Sequence, residues 1–306
     1  MGDIKLYRIT ETNVSELVGY SVALEKSLQT LMEKHLEDIL GVRLLASEYQ
    51  TGKTHGGRID TLGIDENNSP VIIEYKRSTN ENVINQGLYY LDWLLDHKAE
   101  FMLLLMKKYG VETGDLVNWS SPRLLCIASG FTKYDEHAVQ QINRNIELYC
   151  YKRFGDDLLL LDLVNSTTAQ IIESDSVSKQ INTTSKSIEK TVTEYLAQSS
   201  IDLKNRYEAL KAYILALGDD IQENTLKNYI AFRRIKNFAC VEIHPQLGRI
   251  TVFTKVDPDS ITIENGFTRD VRKIGHYGTG DLEITIMNDD QFEKAKLLIM
   301  TSYEAN

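Results

Sequence analysis

Two apolar runs, IDTLGI and VIIEYK, stand either side of the hexapeptide DENNSP within residues 56–78. No other feature constrains the fold as much. Strong β-formers flanking a turn-rich segment specify an antiparallel hairpin. Strands this apolar are buried, and buried strands seldom carry charge unless something pairs with it. Yet this hairpin holds Asp60, Glu74 and Lys76. Paired residues in an antiparallel hairpin have a constant index sum. With the turn centred near residue 67 or 68, Asp60 falls opposite Glu74 or Tyr75. Glu74 and Lys76 are two apart and share a face. The expectation is therefore a single patch of three charges.

Two carboxylates held that close repel and raise each other's pKa unless a cation neutralises them. A hard divalent ion with oxygen ligands fits: Mg²⁺ (or Mn²⁺) binds through one or two carboxylates, keeps waters and takes phosphate as a further ligand. Asp60 and Glu74 are the expected metal ligands, with the Tyr75 carbonyl as another oxygen. Lys76 would face the phosphate or orient the attacking water. The chemistry expected is metal-assisted hydrolysis of a phosphodiester. The competing reading is an ion-pair ladder across an exposed hairpin.

These residues resemble the PD-(D/E)XK nuclease superfamily, with Ile59-Asp60 as the first half-motif and Glu74-Tyr75-Lys76 as the second. Ile59 stands where the family carries proline, which leaves the carboxylate untouched. The resemblance implies a Gln-x-x-x-Tyr on the following helix, and Gln86 and Tyr90 match it at i and i+4. It also implies a glutamate on the first helix, often as Glu-x-x-Leu, which Glu25 with Leu28 matches. Glu25 lines up with Met32 and Leu36 at about 100° per residue; Glu33, aligned with Leu40, competes with it. Glu48 ranks below Glu25 as a further acid. The bland alternatives are a polar helix flank for Gln86 and Tyr90 and a solvated first-turn glutamate for Glu25. The resemblance covers about residues 21–165 and implies a restriction-endonuclease-like mixed sheet flanked by helices, with Gln86 and Tyr90 orienting substrate or supporting the site.

The rest of the chain is read around this hairpin. IKLYRI is expected as a strand, and leucines at helical spacing predict one long helix over 22–40, capped by Ser21 and ended by Gly41. VRLLASEY reads as a strand and TGKTHGG as a mobile loop. A helix is expected over 81–97, FMLLLMKKYG as strand or helix, RLLCIAS as a buried strand, EHAVQQINRN as a helix, and IELYCYKRF and LLLLDLV as closing strands. Residues 166–200 hold fourteen Ser and Thr in 35 positions and read as a linker, with helical turns near IEKTVTEYLAQ. Residues 201–306 predict a small α+β domain: a helix around 207–217, strands at YIAFRR, FACVEIH, RITVFTKV and DLEITIM, and a last helix from Asp289. Three parts result: 1–165, 166–200 and 201–306. The last resembles a small domain of unknown function that often follows such nuclease domains and whose carriers have been labelled predicted transport proteins; GFTRDVRKIGHYGTGDLEITI carries that resemblance.

Composition narrows the partners. The net charge is −10, with Lys and Arg at 17 against 24 Asp and Glu over residues 1–165, and 17 against 20 over 166–306. That disfavours tight non-specific DNA binding without excluding a local basic groove. No apolar run is long enough to span a bilayer, and the start lacks a secretory h-region. Three cysteines, an odd number with no Cys-x-x-Cys, fit a reducing, cytoplasmic setting. Lys53, His55 and Arg58 are candidates for touching a phosphate backbone, against a flexible polar loop as the plainer reading. FRRIKN with Arg269, Arg272 and Lys273 is a candidate nucleic-acid surface, against solvated strand edges. GHYGTG reads as a strand-connecting turn rather than an anion nest. The expectation is a Mg²⁺-dependent nuclease acting on nucleic acid, DNA first among candidates, in a chain that could form a homodimer. The alternative is a nuclease-like fold that binds nucleic acid or protein without cutting.

Overall fold

A mixed sheet of seven strands carries the first half of the chain, and an antiparallel sheet of six carries the second. The computed structural model describes residues 4–21, 25–76, 83–155, 157–169 and 191–306. The chain divides into two compact units, Met1–Ile172 and Glu173–Asn306. The expected class holds: α/β with a helix-flanked mixed sheet, followed by a smaller α+β part.

In the first unit, β1 (Leu6–Ile9) and β2 (Val14–Leu17) form an exposed hairpin, and β3 (Gly19–Tyr20) joins the main sheet. Two helices, α1 (Glu25–Lys34) and α2 (Leu36–Leu40), replace the single helix expected over 22–40, whose start at 22–24 lies outside the described residues. Leu28, Met32, Leu36 and Leu40 are all buried. Steps of four drift by about 40° each on a straight helix. The break at His35, whose N–H bonds the Met32 carbonyl at 3.2 Å, resets that drift. Gly41 (φ 63°) closes α2 in the left-handed region.

The main sheet is then built by β4 (Val42–Gln50), β5 (Arg58–Asp65), β6 (Pro70–Lys76), β7 (Arg123–Ala128), β8 (Asn145–Phe154) and β9 (Leu158–Thr167). Its order is β3-β8-β7-β6-β5-β4, with β9 on β8. The β6–β7 and β7–β8 pairs are parallel and the others antiparallel. The expected mobile loop contains a short helix, α3 (Gly52–His55). Between β6 and β7 run α4 (Val83–Asp96) and α5 (Lys98–Tyr109), so FMLLLMKKYG is helical, with Phe101 and Leu105 buried at i and i+4. A capping box of Thr132 and Asp135 starts α6 (Lys133–Gln140), which crosses from β7 to β8.

One end of this sheet encloses an ionic cluster that sequence reading missed. Arg123 on β7 donates Nε and one Nη to Glu147 on β8, both at 2.8 Å, and its other Nη to Asp65 on β5 at 3.0 Å. Tyr149 donates its hydroxyl to Glu147 at 2.7 Å, and Asp65 accepts the N–H groups of Asn67 and Ser69. All three charged side chains are buried. Asp65 thus shapes the DENNSP turn and ties it to the parallel strands.

The second unit begins its described part with α7 (Val192–Gln198), inside the Ser/Thr-rich segment; residues 170–190 of that segment lie outside the described residues. It continues with α8 (Ile201–Leu215), β10 (Gln222–Thr225), β11 (Ile230–Arg233), β12 (Asn237–His244), β13 (Arg249–Thr254), β14 (Thr268–Asp270), β15 (Leu282–Ile286) and α9 (Asp289–Glu304). The strands order as β10-β11-β12-β13-β15-β14. Leu203, Leu210 and Ile214 of α8 and Ile299 of α9 share one core with Phe232, Val241, Val252 and Ile284 of the strands. GHYGTG lies in the connection between β14 and β15. Cys126, Cys150 and Cys240 are buried and none of them forms a disulfide. No described helix is long and apolar enough to cross a membrane.

Removing one partner of a buried ion cluster strands the others. Arg123→Ala should therefore lower unfolding stability by about 3–5 kcal/mol, read from urea denaturation midpoints at constant m-value. A loss below about 1 kcal/mol would mean that the cluster contributes no more than a surface pair.

Candidate functional site

The other end of the same hairpin gathers the charges that the sequence singled out. The β5–β6 register runs Thr61↔Ile73, Leu62↔Ile72, Gly63↔Val71, a constant sum of 134 that sets Asp60 against Glu74. Beyond Thr61 the two carboxylates take over the ladder. Glu74 Oε1 accepts the Asp60 N–H at 3.2 Å, and Asp60 Oδ2 accepts the Tyr75 N–H at 3.1 Å. Each acid is anchored to the other's strand.

Their surroundings are unequal. Glu74 sits between β5 and β7, opposite Cys126, at 0% exposure. Its Oε2 is buried with no hydrogen-bond partner among the described residues. Burial first, and the neighbouring Asp60 second, push its pKa up to about 9. Asp60 is half-buried, and burial raises its pKa against the opposing pull of the Tyr75 N–H and Lys76. The Cys126 thiol is also pushed up, by burial and then by Glu74. Lys76, with a side chain 15% exposed, lies 3.6 Å from Glu25 Oε2. The first turn of α1 therefore brings Glu25 to the patch through the lysine. Its competitor Glu33 faces elsewhere, accepting the Thr61 hydroxyl at 2.6 Å. The Tyr75 ring turns to that same side, its hydroxyl 3.5 Å from Thr61 Oγ1, so only its backbone is directed to the acids.

Gln86 and Tyr90 meet on α4 as their spacing implies, Gln86 Nε2 donating to the Tyr90 hydroxyl at 3.3 Å. That hydroxyl also accepts the Arg58 N–H at 3.1 Å, at the start of the strand that carries Asp60. The Tyr90 ring lies so close to Gly57 that a Cβ there would come within 2.5 Å of it. Tyr90 thus holds the entry of β5. Glu48 is bound by two cations, Lys26 at 2.7 Å and Arg58 at 2.5 Å. The Lys26 hydrogen bond chiefly lowers its pKa. Its backbone is left-handed (φ 55°), an uncommon conformation for a glutamate. Arg58 is thereby engaged, and His55 packs 5.0 Å from the Tyr89 ring with Asp92 at 3.7 Å, so two of the three loop candidates have protein partners. Arg234, Arg269 and Arg272 of the second unit are likewise ion-paired, with Asp220, Glu283 and Asp259.

Sequence reading missed Gln29. It is buried on α1, and its amide donates to the Asp60 carbonyl at 2.7 Å and to Glu33 at 3.0 Å, while Lys26 donates to its Oε1. The signal was available: Gln29 is a polar residue one turn after Glu25, beside the buried Leu28. Among the described residues no group of three or more His, Cys, Asp and Glu side chains is gathered to hold a metal unaided. A cation here would rest on two carboxylates, completed by a carbonyl, water or phosphate.

Comparison with known proteins adds three findings. Residues 192–306 match the family described as "Domain of unknown function (DUF5655)". A Haemophilus influenzae (strain Rd) protein described as "Uncharacterized protein" is 31% identical over 305 residues, covering 97% of this chain and 98% of that one. A solved structure described as "Structure of EndoMS-dsDNA2 complex" resembles this chain at 20% identity with a TM-score of 0.24. That match covers 42% of this chain and 46% of the other, too little to carry any inference.

The raised pKa of Glu74 fixes a pH dependence. The folded chain holds a proton that the unfolded chain, with the ordinary value of 4.5, gives up. Metal-free stability should therefore fall as pH climbs from 4.5 towards 9. Glu74→Gln keeps the acceptor for the Asp60 N–H and removes the titration. Its thermal melts in EDTA should flatten across that range and lie above wild type at pH 8. Parallel melting curves for the two proteins would refute this assignment.

Proposed function

We propose that this chain, which belongs to the family of that Haemophilus influenzae protein, is a metal-dependent phosphodiesterase acting on nucleic acid, with DNA the first substrate to test. One observation carries this reading. A fully buried carboxylate with an orphaned oxygen stands beside a second carboxylate, with a lysine alongside. Burying an ionised carboxylate without a partner costs several kcal/mol; a proton meets that cost in the metal-free chain, and a divalent cation would meet it with both acids ionised.

The donor set fits a hard divalent ion. Asp60 and Glu74 would hold Mg²⁺ or Mn²⁺, with the Tyr75 carbonyl as a further oxygen. When bound, the ion would supply Lewis-acid polarisation and a water acidified towards neutral pH. The protein's own groups have separate tasks. Lys76 stands beside the two acids, where it would orient a water or offset charge developing on the phosphate. Glu25 holds the lysine's ammonium group. Tyr90, supported by Gln86, fixes the strand entry that sets Asp60 against Glu74. Gln29 fixes the Asp60 carbonyl from the other side. The preorganisation is thus in hydrogen bonds to backbone, which do not change as substrate arrives.

Asp60→Ala and Lys76→Ala should each lower Mg²⁺-dependent cleavage by at least about a hundredfold, with circular dichroism unchanged. The assay runs linear, circular, flapped and modified DNA with Mg²⁺ and Mn²⁺. Calorimetric titration with Mn²⁺ should show a site that disappears in Asp60→Asn. Cleavage by either alanine variant at wild-type rate would overturn the mechanism. Mn²⁺ binding and DNA binding with no cleavage of any substrate would replace it with a binding role.

A further inference from the structure

The second unit has a cavity of about 340 Å³, within the size range of small-molecule sites. Tyr195, Asn228, Glu242, His244, Gln246 and Tyr277 line it, with apolar residues between them. No lysine or arginine does. Its walls come from separate elements that are fixed independently. Tyr195 lies on α7, whose start is secured by the Thr191–Glu194 capping box. The Val192 N–H bonds the Lys227 carbonyl at 2.6 Å, which ties that helix to the turn carrying Asn228. Glu242 and His244 stand on β12, and Gln246 on the single 3₁₀ turn that follows it.

Tyr277 is held the most deliberately. On one side its neighbour His276 stacks on Phe253 with ring centroids 4.2 Å apart. On the other, Gly278 (φ 75°) presses against Cys240, where a Cβ would lie 2.7 Å from the sulfur, and the Thr279 N–H points at that sulfur at 3.4 Å. The chain is anchored on both sides of a tyrosine that is itself 53% exposed. Neither Tyr277 nor Tyr195 packs on another aromatic ring among the described residues. The ion-pair partner of Glu242 is His244, at 3.4 Å, and that histidine's Nε2 makes no hydrogen bond among the described residues. The cavity therefore presents two phenol rings, two amides, and one carboxylate with an imidazole beside it.

We propose that this cavity binds an organic cation, an alkylammonium or guanidinium group, with Glu242 as counter-charge and Tyr195 and Tyr277 as aromatic walls. Ring faces attract cations through their quadrupole, most strongly where water is thinned. A carboxylate adds the opposite charge, and amide carbonyls accept the remaining N–H donors. A phosphate-bearing ligand would meet a carboxylate and no cationic side chain, which disfavours nucleotides. The proposal does not depend on the chemistry of the first unit. The cation has two sources, a free polyamine or the Lys or Arg side chain of a protein, and the experiment separates them.

Isothermal titration of the full chain with butylamine, spermidine and Nα-acetyl-lysine methylamide tests the proposal, with 1-butanol and deoxyadenosine as neutral probes. The amines should bind saturably and 1-butanol should not. Glu242→Gln and Tyr277→Ala should each weaken amine binding about tenfold, and Tyr277→Phe, which keeps the ring, should stay within about twofold. Tighter spermidine points to a polyamine, and a tighter lysine derivative to a protein side chain. The proposal is overturned if no amine saturates, if 1-butanol binds equally, if Glu242→Gln binds as wild type, or if deoxyadenosine saturates in place of the amines.

Discussion

Charge buried between β5, β7 and β8 is what the first unit's sheet is organised around. Arg123 reaches two acids that lie 58 and 24 residues away and locks a hairpin turn to two parallel strands. Each of the charged side chains there has hydrogen-bond partners: a forked guanidinium, a phenol and two backbone N–H groups. Such a cluster adds little net stability over an apolar core, but it tolerates few alternative registers. A slip of one residue in β5 would move Asp65 away from Arg123 and also carry Asp60 to the wrong face.

The same strands end in a second buried cluster with the opposite character. At the Asp60–Glu74 end two acids meet, one of them fully buried, and an oxygen goes without a partner. A protein able to satisfy Arg123, Glu147 and Asp65 completely does not leave Glu74 incomplete for want of means. On the proposed reading, the difference between the two ends is that between a structural ion cluster and a site that takes a ligand. Everything around the incomplete end works to hold it still. Tyr90 and Gly57 fix the strand entry, Gln29 fixes a carbonyl, and Glu48, with a left-handed backbone, pairs with Lys26 and Arg58.

Legibility followed range. The hairpin and its index sum were readable because both strands lie within twenty residues and alternate with period two. The spacing of Gln86 and Tyr90 was readable because i and i+4 meet on any helix. The Arg123 cluster was not, since nothing in RLLCIAS marks an arginine as buried and its partners are set by sheet order. The break at His35 escaped because an apolar residue every four positions resembles one long helix until its drift is counted. Short strands such as β3 and β14, of two and three residues, carry no period at all. Gln29 lay in plain view, but a polar residue on an apolar stripe reads as noise until the carbonyl it serves is known.

The chain's charge also bears on the proposed cation. The chain carries −10, and a polyanion approaching it meets repulsion rather than a guiding field. Near the patch, among the described residues, Arg58 and Lys26 are held by Glu48, and Lys76 lies against Glu25. With Asp60 and Glu74 ionised, the site itself would repel the bond it is proposed to cut. Protonation of Glu74 removes one charge but leaves a poor ligand and no attraction. A divalent ion offsets both carboxylates and provides the attraction that the rest of the surface lacks. On this reading metal and substrate are coupled: each lowers the electrostatic cost of the other. Affinity for nucleic acid should then reside in the loaded site rather than in any basic face of the fold.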